Sequence, residues 1–359
     1  MMQTFATSLS RHVRNCSRPA LGLVALAALA FPASVTANTT APPANASAGS
    51  TIVAGVMARS GKLVDARLMG PSGQIYAAVN GDPLRWRRVG LGGIASTVSF
   101  AGNHNGSVFA AGKRTPIYVL KSGVWHAKPL PNRGRASLSS GGRIGAASVG
   151  RQVYTLHGTQ WRRFGKTRGR VTAVFATSAT TVYASNTAGR LRRGRKAGKT
   201  ASWSALRTRL PRGDFVVKLI AGAGKQLFAI SQQGALLRIR GTRASRVTGA
   251  QGLRGMVVHA LSSGPTSTYV AGRLSNGTNV VARLDKGRLA HAAPVPGMGR
   301  RDRVATLIQD AQGRLVVATR AGRLVVRDQK NSWQAGTIEQ VAGDTTPNRF
   351  GGAAPARTQ

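Results

Sequence analysis

Five tryptophans recur at a near-constant interval. Trp86, Trp125, Trp161, Trp203 and Trp333 are separated by 39, 36, 42 and 130 residues, and the last gap is close to three times 43. Local alignment fills it with Ala244 in GTRASRV, which parallels GTQWRRF around Trp161, and with Leu289 in KGRLAHA, which parallels SGVWHAK around Trp125. A second marker, a β-branched or leucine residue followed by an aromatic, recurs at Ile75-Tyr76, Val108-Phe109, Val153-Tyr154, Val182-Tyr183 and Leu227-Phe228, and Tyr269 and Val316 continue it. A third is a small-polar-x-x-Gly-x-Leu turn at Ser185–Leu191, Ser231–Leu236 and Thr319–Leu324, whose glycines Gly189, Gly234 and Gly322 lie 45 and 88 residues apart. Glycine there supplies the positive φ that a tight strand-to-strand turn needs.

Between these markers the apolar stretches are short, and Gly, Ser, Asn and Arg turns punctuate them. No segment keeps helical periodicity through several turns, so the chain reads as all-β. Seven units of 40–45 residues with about four strands each are the sequence signature of a seven-bladed β-propeller built of four-stranded antiparallel blades. The last unit shows its strands plainly, at Val304–Asp310, Leu315–Arg320, Leu324–Gln329 and Trp333–Ile338. The unit at Ile144–Phe164 looks short by a strand. Thr51–Met57, or Ile338–Val341 at the other end, is expected to close the ring by completing a blade with strands from both termini, which removes a free sheet edge.

On these repeats the chain resembles the broad group of exported bacterial β-propellers with degenerate repeats, a generic WD40/YVTN/BNR-like superfamily, over about residues 51–343. No Trp-Asp ends a repeat, no Gly-Gly kelch doublet recurs in phase, and the Ser-x-Asp-x-Gly-x-Thr-Trp box of sialidase-like propellers is absent. The resemblance therefore implies a fold and no active site.

The N-terminus carries Arg11, Arg14 and Arg18 without an acid, then the apolar run Leu21–Pro32 and the small-residue site Val35-Thr36-Ala37. That is the layout of a secretory signal peptide over 1–37, so export to the periplasm or beyond the cell is expected; an uncleaved anchor or an organellar presequence are the alternatives. Cys16 lies in the segment removed, which would leave a mature chain without cysteine. Residues 38–50 (NTTAPPANASAGS) read as a flexible leader, and 344–359 as a disordered tail.

Little in the sequence suits catalysis. The acids are Asp65, Asp82, Asp214, Asp285, Asp302, Asp310, Asp328, Asp344 and the single Glu339. A glycosidase needs two facing carboxylates, which Asp pairs across blades could still supply. His104, His126, His157, His259 and His291 show no HxxH or HExxH spacing, so no metal site is expected. His126 and His291 fall beside the Trp position and read as outer-strand surface histidines. Gly222-Ala223-Gly224-Lys225-Gln226 lacks the first Gly and the Ser/Thr of a phosphate loop, and Gly297-Met298-Gly299 lacks a third Gly. No cofactor is expected.

The charge is the outlier: 52 Lys and Arg against 9 Asp and Glu, a net +43 that falls to +40 after the signal peptide is removed. The basic residues cluster at Arg85, Arg87 and Arg88; at Arg162, Arg163, Lys166, Arg168 and Arg170; at Arg190, Arg192, Arg193 and Arg195; at Arg238 and Arg240; and at Arg300, Arg301 and Arg303. Further arginines follow at Arg207, Arg209 and Arg212 and at Arg243 and Arg246. Most lie after the turn glycine or around the Trp, which in a propeller is the rim. Charged outer strands discourage sheet-to-sheet pairing, but that task does not need one sign only. Host bias toward arginine is another bland account. Arginine's planar fork suits phosphate and carboxylate, so the sequence favours a non-catalytic binding or scaffold module, expected to be a monomer. Its partner would be anionic: acidic polysaccharide, lipopolysaccharide or an anionic membrane surface, nucleic acid, or acidic protein. The rival is an enzyme, a lyase or hydrolase acting on an anionic polymer in the central funnel.

Overall fold

Burial sorts the strands into two kinds. Val108–Gly112, Leu227–Ser231 and Leu315–Thr319 are buried at every position, whereas Asp82–Val89 buries only Pro83 and Trp86 and Arg243–Arg246 only Ala244. Strands covered on both faces need runs such as VFAAG, LFAIS and LVVAT; strands at a solvent boundary need apolar residues on one side only. Sheets stacked face to face around an axis, with one edge outward, produce both patterns.

The computed structural model describes residues 54–339 apart from 61–62, 70–73, 90–96, 103–107, 113–115, 122–123, 133, 140–143, 159, 224–225, 250–252, 264–266, 286, 300–301 and 311. The expected signal peptide, leader and tail lie outside the described residues. No α-helix occurs among the described residues.

Consecutive strands pair into antiparallel units. Unit 1 holds β1 (Ala54–Ser60), β2 (Leu63–Met69), β3 (Ile75–Val79) and β4 (Asp82–Val89). Unit 2 holds β5 (Thr97–Gly102), β6 (Val108–Gly112), β7 (Ile117–Lys121) and β8 (Val124–Lys128). Unit 3 holds β9 (Ala136–Leu138), β10 (Ala146–Val149), β11 (Gln152–His157) and β12 (Gln160–Lys166). Unit 4 holds β13 (Val171–Ser178), β14 (Thr181–Asn186), β15 (Leu191–Ala197) and β16 (Thr200–Ala205). The short β17 (Arg207–Thr208) precedes unit 5, which holds β18 (Val216–Ala221), β19 (Leu227–Ser231), β20 (Leu236–Arg240) and β21 (Arg243–Arg246). Unit 6 holds β22 (Val257–Ser263), β23 (Thr268–Arg273), β24 (Asn279–Asp285) and β25 (Arg288–Pro294). Unit 7 holds β26 (Val304–Gln309), β27 (Leu315–Thr319), β28 (Leu324–Arg327) and β29 (Trp333–Glu339).

The core is distributed between neighbouring units. Met69 and Ile75 of unit 1 pack with Val108 and Trp125 of unit 2. Corresponding clusters join units 2 and 3, 3 and 4, 4 and 5, 5 and 6, and 6 and 7. A further one joins Ile308, Val316 and Leu324 of unit 7 to Leu68, Tyr76 and Trp86 of unit 1. An open stack of units would lack that last interface, so the arrangement is a β-propeller closed on itself.

All five tryptophans lie on the fourth strand of their units, as do Ala244 and Leu289. Each of these seven residues packs in the cluster shared with the preceding unit, Trp203 and Trp333 from half-buried positions. The tryptophan period therefore records blade-to-blade packing. The turn marker also corresponds to one structure. Gly189, Gly234 and Gly322 have φ of 73°, 82° and 84°. Oxygens of the Asn186, Ser231 and Thr319 side chains accept the N–H of Arg190, Ala235 and Arg323 at 3.0–3.1 Å.

Three expectations need correction. The unit at Ile144–Phe164 is complete, because Ala136–Leu138 supplies its first strand opposite Ala147–Val149. The β-branched–aromatic marker sits on the second strand of five units but on the third in units 1 and 3, at Tyr76 and Tyr154. Among the described residues no antiparallel unit mixes strands from the two ends, β1 opening unit 1 and β29 ending unit 7. They are instead linked at the outside, where β29 runs parallel to β4 with Thr337, Ile338 and Glu339 opposite Arg85, Trp86 and Arg87. The same covering of an outer strand recurs where β17 pairs with β21 and where Gly249 bridges Leu289 on β25. It shields edges that would otherwise offer free N–H and C=O groups.

Candidate functional site

The structure divides the basic residues singled out in the sequence into two groups, and Arg300 and Arg301 lie outside the described residues. The larger group lies on third and fourth strands. Arg85, Arg87 and Arg88 are on β4, Arg162, Arg163 and Lys166 on β12, Arg192, Arg193 and Arg195 on β15, and Arg238 and Arg240 on β20. Those on β4 and β12 are exposed.

Units 3 and 4 bring part of this group together. Lys196 Nζ donates to the Arg163 carbonyl at 2.9 Å, tying β15 to β12. His157 beside them has its pKa pushed down, first by burial and then by the charges of Arg162 and Lys196. Arg192 and Arg193 are only half-exposed, and the Arg193 guanidinium lies 5.9 Å from the Tyr183 ring centre. Arg238 is packed as well: a Cβ at Gly287 of unit 6 would fall 2.5 Å from its Nη1. These three carry structural contacts besides their charge.

Unit 5 carries the densest arrangement. Arg207 on β17 lies opposite Arg243 on β21, which lies opposite Arg240 on β20. Directly opposed residues share a sheet face on strands about 5 Å apart. All three are exposed, and none has a carboxylate partner among the described residues. Like charges in that register repel.

Arg168 and Arg170 lie in the β12–β13 connection, Arg190 in the β14–β15 turn, and Arg303 directly before β26. Arg170, Arg190 and Arg303 belong to the end of the ring where first strands begin. There the structure adds residues that sequence reasoning missed. Lys218 is on β18, His259 on β22, Arg273 ends β23 and Arg320 directly follows β27. Arg273 and Arg320 hold equivalent positions in successive units, and Arg320 N–H donates to the Arg303 carbonyl at 3.0 Å. His259 is the extra residue of a β-bulge between Val258 and Ala260, a device that re-aims a side chain. Bulges occur at the same place in units 2, 4, 5 and 7, and in unit 4 the bulged Thr172 donates its hydroxyl to the Val216 carbonyl of unit 5.

Burial, followed by the charges of Arg303, Arg320, Lys218 and Arg273, pushes the His259 pKa down. Lys218 is open to solvent by area yet hemmed in by protein, and desolvation and then Arg320 lower its pKa. One residue from each of five places in three repeats makes this cluster, so no charge run in the sequence announces it.

Five aspartates accept backbone hydrogen bonds, four of them within local turns. Oxygens of Asp82, Asp302, Asp310 and Asp328 accept the N–H groups of Leu84, Gly299, Arg314 and Ser332 at 2.8–3.1 Å, and Asp214 accepts that of Gln233 at 3.2 Å. Asp310 also pairs with Arg314 at 2.5 Å. His126 and His291 are on the fourth strands β8 and β25, as expected. Among the described residues no three His, Cys, Asp or Glu side chains converge as a metal site.

No family model matches the sequence, and no curated protein matches it. Solved structures do. The chain is similar to U3-55K, with a TM-score of 0.55 and 12% identity over 75% of this chain and 88% of that one. It is similar to the β-propeller domain of Myceliophteria thermophila Cps50 (Swd1), with a TM-score of 0.54 and 11% identity over 77% and 96%. It is also similar to the WD40 β-propeller domain of Doa1, with a TM-score of 0.55 and 10% identity over 79% and 95%. With identity this low, what the chain shares with these WD40 and propeller domains is the β-propeller fold.

Proposed function

We propose that the chain is an exported binding or scaffold propeller that holds an anionic partner against its basic outer strands. The observation that carries this reading is the row Arg207–Arg243–Arg240, three exposed cations placed opposite one another with no carboxylate between them. Mutual repulsion in the row lowers stability in the free protein, and an anionic chain lying across it offsets that repulsion and releases its own counterions. Arg162 and Arg163 on β12 add exposed cations of the same kind. Acidic polysaccharide, lipopolysaccharide, nucleic acid and acidic protein all fit this chemistry. Binding is favoured over the hydrolase or lyase alternative because Asp82, Asp302, Asp310 and Asp328 each serve a local turn rather than facing a second carboxylate.

The test is titration with heparin and with duplex DNA at 50 and 200 mM salt. Binding by six to ten contacts weakens roughly 10³–10⁵-fold over that range. The triple variant R207S/R240S/R243S binds more weakly with a shallower salt slope and keeps its fold. Absence of binding to either polymer at 50 mM salt overturns the reading.

A further inference from the structure

The end of the ring formed by units 5, 6 and 7 carries a second cationic cluster, separate from the outer rows. Lys218, Arg303 and Arg320 are exposed there and Arg273 is half-exposed. Arg273 Nε donates to the Gly277 carbonyl at 3.2 Å, which fixes its stem and leaves its terminal nitrogens unassigned. Arg303 and Arg320 are held next to each other by the backbone hydrogen bond between them. None of the four has a carboxylate partner among the described residues. Asp302, the nearest acid in sequence, is turned to the Gly299 N–H at 3.1 Å.

His259 lies half-buried among these cations, and its Nε2 is shut off from solvent without a hydrogen-bond partner. Among the described residues nothing therefore compensates a proton at that nitrogen. Beside the cluster, directly opposite Arg273 in the β22–β23 register, stands Val257. At 41% exposure it is the large apolar side chain left open to solvent among the described residues.

We propose that the surface formed by Lys218, Arg273, Arg303 and Arg320 over His259 binds a phosphate group, with Val257 placed against whatever organic group the phosphate carries. A phosphate dianion matches this set better than a carboxylate. It brings up to two negative charges to four cations, and its oxygens accept from several guanidinium donors at once. His259 lies beneath the cationic surface and acts by proton linkage. Burial and then the four cations disfavour its imidazolium, so an anion among them relieves the second of these and binding draws a proton toward the ring.

The experiment is calorimetric titration with inorganic phosphate and with phenyl phosphate at 150 mM NaCl, alongside NMR titration of the His259 ring. Saturable one-to-one binding is expected, with the His259 midpoint rising when the site is filled. R303Q and R320Q each weaken binding at least about tenfold, as loss of a charge-assisted hydrogen bond does. H259Q retains binding but loses the proton uptake, read from the dependence of the heat on buffer ionisation. Stronger binding of phenyl phosphate, lost in V257S, marks a phosphomonoester as the ligand; equal binding of both probes marks free phosphate. No saturable binding of either probe overturns the proposal, as does binding unchanged in R303Q/R320Q. The variant R207S/R240S/R243S serves as the control, because it alters heparin binding and leaves phosphate binding unchanged, so this site and the outer rows fail separately.

Discussion

Phe109 and Trp161 meet in a T-shaped contact, with ring centroids 6.1 Å apart and planes at 62°. Phe109 belongs to the second strand of unit 2 and Trp161 to the fourth strand of unit 3. One interface on, Trp203 makes a T-shaped contact with Phe164 on the fourth strand of unit 3, at 5.7 Å and 73°. Aromatic quadrupoles prefer this geometry, which adds to the apolar area each ring buries. Gly145 fits the first contact, since a Cβ there would come within 2.9 Å of Phe109.

Trp161→Ala is expected to destabilise the ring by about 3–5 kcal/mol, the range for removing a buried aromatic. Trp333, half-exposed on the last strand, should cost clearly less. Urea unfolding of the two variants checks this. Equal losses would mean that interface burial does not decide the tryptophans' contribution.

Gly189→Ala should cost about 1 kcal/mol or more, and Gly198→Ala less. Both have positive φ, 73° and 60°. A Cβ at Gly189 would meet the Asp214 carbonyl of the next unit at 3.0 Å, whereas at Gly198 it meets nothing within 4 Å. Thermal melts of the two variants separate backbone strain, common to both, from the steric clash at one.

Stability should fall as pH drops below about 6.5, the ordinary histidine value. The pKa values of His157 and His259 are both lowered, first by burial and then by neighbouring cations. Between the unfolded value and the depressed folded ones, the unfolded chain binds more protons, so acidification favours it. Urea midpoints measured from pH 8 to 5 should decline more in the wild type than in H157Q/H259Q. An identical decline in both proteins would refute the assignment.

Strand type, repeat length and the tryptophan positions were legible because each repeats one packing role, and packing period is what a sequence displays. The turn marker was legible for the same reason: a side-chain acceptor at Asn186, Ser231 or Thr319 and a glycine three residues on are local requirements. The first strand of unit 3 was hidden because Ala136–Leu138 is three residues long and neither strongly apolar nor alternating. The cluster around His259 was hidden for another reason. A bulge selects which residue turns inward, and neither the bulge nor the meeting of Lys218, Arg303 and Arg320 leaves a local pattern. Clustering along the chain placed Arg192 and Arg193 in a basic surface patch, yet both are only half-exposed and Arg193 lies against the Tyr183 ring.

The parallel pairing of β4 with β29 joins parts of the chain made far apart in time. Thr337 Oγ1 donates to the Leu84 carbonyl at 3.4 Å across 253 positions of sequence. Each of the other interfaces joins neighbouring repeats and can form as soon as the second of the pair is free to fold. This one waits for the final strand. Until then the Trp86 side of unit 1 has no partner, and contacts spanning such distances are slow to form and expose sticky surface meanwhile. The first blade to be made therefore stays exposed on one side until β29 reaches it.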